Sequence, residues 1–168
     1  MASDDEIIER IKKSLKELAY EGIIKASDGG SKMGAFILAS CFIDYLAGFY
    51  YGGESTPSHY KGFVKKFLPM YNRNSLYHDL RCKIVHNYSE GGSYHFIDNT
   101  PDVHMATAKD GRIVVNLENF ICDIKDVMER YFKLLENDVP LRNKAIIRYQ
   151  NLGILTVNLV EIGLPTTR

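Results

Sequence analysis

Residues 33–51 read MGAFILASCFIDYLAGFYY, and the fold class turns on that stretch. Its 19 residues approach the ~20 that a helix needs to cross a bilayer. The membrane reading fails at Asp44, a carboxylate in the middle of the run, with Ser40 one turn before it. In lipid that carboxylate would cost about 2.5–3.5 kcal/mol on the insertion scale. A helix enclosed on most sides by other helices explains the same composition without that cost. Ser40, Asp44 and Gly48 step by four and form one non-apolar line along it. Either that line meets solvent, or Asp44 turns inward to orient a cation such as Arg81. No membrane association is expected.

Helical signals continue on both sides. Upstream, Ser3 and Glu6 have capping-box spacing, and Ile8, Ile11, Leu15, Leu18 and Gly22 make a stripe at helical spacing. This predicts a first helix to about Lys25, ended by residues 27–31. Downstream, Tyr51-Gly52-Gly53 closes the apolar helix, and Thr56-Pro57 caps a third that runs to about Phe67 before Pro69 breaks it. Asn74 or Ser75 caps a fourth, which packs Leu76, Tyr77, Leu80 and Ile84. After Ser89-Glu90-Gly91-Gly92 the period changes. Residues 94–98, 103–108 and 112–116 read as short strands, with Asp110-Gly111 as a hairpin turn. Asn116 caps a further helix, Leu117 to Glu136. A short helix follows Pro140, with Gly153 beyond its end, and the β-branched run from Ile154 to Ile162 predicts a strand. The expectation is one mainly α domain over 1–168. It has a helical core of four to five main helices at about 3–136, a small β insertion at 93–116 and a helix/strand extension at 138–168.

Composition narrows the function. Net charge is zero, so no global field attracts a polyanion, but residues 57–89 carry +5. Cys41, Cys82 and Cys122 stand singly, which argues against a disulfide framework and for a reducing, cytoplasmic setting. Residues 1–30 show no basic-then-apolar pattern, so no secretory signal is expected. The five histidines lack metal-ligand spacing, and no phosphate-binding loop, dinucleotide fingerprint or nucleophile elbow occurs. Neither a metal nor a cofactor is expected.

The chemistry concentrates at Leu80-Arg81-Cys82-Lys83-Ile84-Val85-His86-Asn87-Tyr88. A guanidinium forks onto phosphate oxygens, and an imidazole moves protons near neutral pH. On an α-helix Arg81 and His86 are offset by about 140° and ~7.5 Å along the axis, a gap that a long arginine bridges if the helix ends near Asn87. Tyr88, seven residues after Arg81, shares its face in that geometry.

Arg-x4-His-x-Tyr within Leu-Arg-x-x-Ile-Val-His-Asn-Tyr resembles the signature of HEPN domains, most closely that of HepT-like toxin ribonucleases. The match is specific over about residues 76–88. Active members usually carry Asn, Asp or His after the arginine, where this chain has Cys82. The resemblance implies a helical bundle and a metal-independent endoribonuclease with Arg81 and His86 as catalytic pair. It further implies a homodimer that pairs two motifs across one cleft, RNA as substrate, and a nucleotidyltransferase antitoxin acting on Tyr88. In such domains a polar or acidic residue on an earlier helix often supports the arginine, and the helix pattern nominates Asp44. Tyr88 and Asn87 are expected to support the site, and Lys83 and Arg73 to contact RNA. A non-catalytic module that binds RNA, a nucleotide or a protein is the alternative.

Overall fold

The structure, a computed structural model, describes residues 2–89 and 91–156. It is mainly α with one small sheet, as the periodicity predicts. Among the described residues six helical spans form the bundle. The first joins α1 (Asp4–Lys13), a π-helical segment (Ser14–Tyr20) and α2 (Glu21–Asp28); α3 (Lys32–Tyr51) and α4 (Pro57–Phe67) follow. The motif span joins α5 (Arg73–Ser75), a second π-helical segment (Leu76–Ile84) and α6 (Val85–Asn87). After β1 (Tyr94–Ile97), a 3-10 turn (Pro101–Val103) and β2 (Ile113–Asn116) come α7 (Leu117–Asn137) and α8 (Val139–Leu152).

Local chemistry sets most of the helix starts. Ser3 and Glu6 form the capping box, and Thr56 accepts the His59 N–H ahead of Pro57. Asn116 accepts the Asn119 N–H at the head of α7. The cap of the motif span is Asn72 rather than Asn74 or Ser75. Its side-chain oxygen accepts both of their N–H groups, at 3.0 and 3.1 Å. The first stripe changes register at the π segment: Ile11, Leu15, Tyr20 and Ile23 are buried, while Leu18 and Gly22 are only half-buried. A π-helix bonds i to i+5, and the step of five from Leu15 to Tyr20 records it.

Helix α3 lies at the centre, against α2, α4, α7, α8 and both π segments. Length and hydropathy alone would let it cross a membrane, but 56% of its most apolar window is buried inside the bundle. Phe36, Phe42, Ile43, Leu46 and Phe49 there contribute to the core. The extension is larger than expected, a 14-residue α8 capped by Asp138 and ended at Gly153. Its Arg148 lies over the Tyr45 and Phe49 rings and donates from Nη1 to the Gly53 carbonyl at 2.6 Å. Gly48 leaves room for that guanidinium, since a Cβ there would meet Arg148 Cζ at 2.6 Å.

The insertion differs from the expected meander. β1 and β2 pair in parallel, Tyr94 opposite Ile113 through Ile97 opposite Asn116. The Asp110-Gly111 turn forms, with Gly111 at φ +84°, but its antiparallel return is one bridge, Thr107 to Ile113. The 3-10 turn headed by Pro101 and the positive φ of Met105 interrupt the strand expected over 103–108. Of the strand expected from Ile154 to Ile162, residues 154–156 have no regular structure and the rest lies outside the described residues.

Candidate active site

The motif residues sit where three pieces of chain meet: α3, the α3–α4 loop and the motif span. Arg81 donates from Nε to Asp44 Oδ2, and Ser55 in the loop donates its hydroxyl to Asp44 Oδ1 at 2.9 Å. Arg81 Nη1 donates to His86 Nε2 at 3.1 Å. A hydrogen-bonded line therefore runs Ser55–Asp44–Arg81–His86. Asp44 turns toward the cation, the inward alternative, while Ser40 beside it is fully buried.

Arg81 lies near the end of the π segment and His86 in the closing α6 turn. The wider π turn reduces the angular offset between them, and the long arginine side chain spans the rest. The bond also fixes the imidazole. Arginine has no acceptor, so His86 Nε2 carries a lone pair, and a neutral ring has its proton on Nδ1. Of the five N–H groups on the guanidinium, two are used and three remain. Burial pulls the Arg81 guanidinium down, but Asp44 more than offsets it and holds the cation above its ordinary value.

The other nominated residues scatter. Tyr88 ends the span in the left-handed region, φ +52°, and stands 70% exposed. Asn87 is exposed as the last helical residue and bonds to neither Arg81 nor His86. Lys83 lies 3.5 Å from Asp79, and Arg73 is exposed in the first turn, two turns before Arg81. Asp79 is a buried carboxylate that accepts the Ser93 N–H at 2.6 Å and abuts Gly92, which ties the start of the β insertion to the motif span. All three cysteines are free, Cys82 half-buried beside Arg81.

Sequence reasoning missed two neighbours. Ser55 lies in a loop with no periodicity, and only its place before the Thr56 cap marks it. Tyr77 was read as core, yet its phenol interacts electrostatically with Cys82, Arg81 and Asp44. Its spacing of four from Arg81 is the signal. Two surface cavities of about 490 and 480 Å³ lie elsewhere, one between residues 67–70 and α7, the other along α1 and Phe132. Among the described residues no cluster of His, Cys, Asp and Glu could hold a metal ion. No protein-family model matches the chain, and no curated protein or solved structure matches it.

Proposed function

We propose that the protein is a metal-independent endoribonuclease of the HEPN type, working as a homodimer. The observation that carries this reading is the Ser55–Asp44–Arg81–His86 line, which holds a cation with spare donors against an unprotonated imidazole nitrogen. Arg81 Nη1 turns from His86 Nε2 to the phosphate, and the lone pair so released takes the proton of the RNA 2′-hydroxyl as that oxygen attacks phosphorus. Arg81 neutralises the charge growing on the phosphorane oxygens. The 5′-oxygen leaves with a proton from a second acid, which the partner's His86 supplies, and a 2′,3′-cyclic phosphate remains. His86 is exposed, in keeping with a site completed by a second copy. The exposed Tyr88 phenol supports a modifying nucleotidyltransferase as a further partner.

The test is cleavage of single-stranded RNA in EDTA with analysis of the ends. His86→Ala should lower the rate by roughly 10²–10⁴-fold, the usual worth of positioned acid–base catalysis. Arg81→Lys should not rescue Arg81→Ala, because an ammonium does not fork onto two phosphate oxygens. Equal trace activity in wild type and His86→Ala would remove the nuclease reading. A non-catalytic RNA-binding module is the second reading, favoured by the charge match that Asp44 already gives Arg81.

A further inference from the structure

One half-buried cation beside the site has no assigned work. Lys61, on α4, holds its ammonium 4.9 Å from the centroid of the Tyr77 ring. Among the described residues no carboxylate lies within ion-pair reach of it. Lys66, one helical turn and one residue further on, is different. Its ammonium is bonded to the Tyr50 hydroxyl at 2.6 Å as well as lying over the Tyr50 ring. Lys61 faces only the π-cloud, which holds an ammonium in place without consuming its three N–H donors. The Tyr77 ring is itself fixed, edge to face with the buried Tyr60 at 5.4 Å.

The Tyr77 ring that holds this ammonium stands four residues before Arg81 in the same π-helical segment, and its phenol and the Arg81 guanidinium influence each other electrostatically. Two cations linked in this way can engage successive phosphates of one nucleic-acid strand. We propose that Lys61, held on the Tyr77 ring, forms a second phosphate subsite for the nucleotide next to the scissile bond. The inference rests on the ribonuclease reading and deepens it: the substrate is a strand with at least two phosphates, engaged at Arg81 and Lys61, rather than a single dinucleotide link. Base identity is not read by either group, so the subsite sets minimum length and not sequence.

Calorimetric titration with RNA mimics that cannot be cut tests the subsite apart from the chemistry. The probes are a 2′-O-methyl dinucleoside monophosphate and the same molecule with an added 5′- or 3′-terminal phosphate. The full-length protein should bind one of the two-phosphate probes roughly tenfold more tightly. That gain should persist in Lys65→Met, which removes a lysine one turn away, and vanish in Lys61→Met and Tyr77→Leu. On a 2′-O-methyl octamer, Lys61→Met should also flatten the plot of log K against log salt by about 0.7, the share of one phosphate on a single strand. A wild type indifferent to both added phosphates, or a Lys61→Met variant that keeps the gain and the salt slope, overturns the subsite. If wild type cuts no RNA, the ribonuclease reading falls, and the binding data still decide the subsite.

Discussion

Replacing Asp44 by Asn keeps the volume of the side chain and one acceptor, but removes the charge that holds Arg81. The pair is mostly enclosed, the Arg81 and Asp44 side chains being 27% and 21% exposed. Exposed pairs contribute about 0.2–1 kcal/mol, and breaking a buried one costs about 3–5 kcal/mol, so this site falls at about 1–2 kcal/mol. For a domain of this size that lowers Tm by about 3–6 °C in a calorimetric scan. The larger effect is expected in turnover. The amide no longer anchors both Ser55 and Arg81, and a guanidinium misplaced by ~1 Å costs on the order of 10²-fold. On the proposed ribonuclease reading, RNA cleavage by Asp44→Asn should therefore lose about ten- to a hundredfold in kcat. KM should not rise, because removing an anion leaves the surface more attractive to RNA. An Asp44→Asn protein with wild-type Tm and kcat, or one that loses activity only through KM, would refute the anchoring argument.

Gly92→Ala should destabilise the fold by about 2 kcal/mol or more in urea titrations, because φ is +98° and the new Cβ runs into the Asp79 carboxylate. Gly111→Ala, at φ +84° in open space, should lose only about 1 kcal/mol, which separates the clash from the backbone strain. The Asp110 carboxyl is held well below the usual carboxylate range, first by the Arg112 side chain and backbone N–H and then by His95. A depressed carboxylate contributes its stabilisation above the unfolded Asp pKa and loses it as pH falls through the lower folded value. The Arg112 amide resonance should accordingly stay native through pH 4 and shift only in stronger acid; a shift centred near pH 4 would contradict the pairing.

What the sequence disclosed followed from how local each cause is. The Ser3, Thr56 and Asn116 caps were legible because a cap depends on a few consecutive residues. The inward turn of Asp44 was legible as one of two choices, since a carboxylate inside an apolar helix needs either water or a cation. The two π segments were not legible, although the step of five from Leu15 to Tyr20 lies inside the first. The α-helical period breaks in both, so positions counted across them from that period lose their face. The parallel pairing of Tyr94–Ile97 with Ile113–Asn116 is set by distant packing, whereas the Asp110-Gly111 signal is local and suggested a hairpin. Ser55 acts through a tertiary contact from a loop, where no pattern of neighbouring residues announces it.

Helix α8 packs against both α1 and α3, with Arg142 paired to Asp5 and Tyr149 bonded by Arg10. This arrangement has a consequence during synthesis. The apolar surface of α3 is complete once residue 51 is made, but Arg148 and the rest of its last cover arrive about a hundred residues later. At roughly 5–20 residues per second the nascent chain carries that helix incompletely covered for about 5–20 s. During that interval residues 33–51 present the kind of segment that molecular chaperones and membrane-targeting factors compete for. The same sequence that builds the centre of the folded bundle is thus, before the last helix docks, its main hazard for misrouting and aggregation.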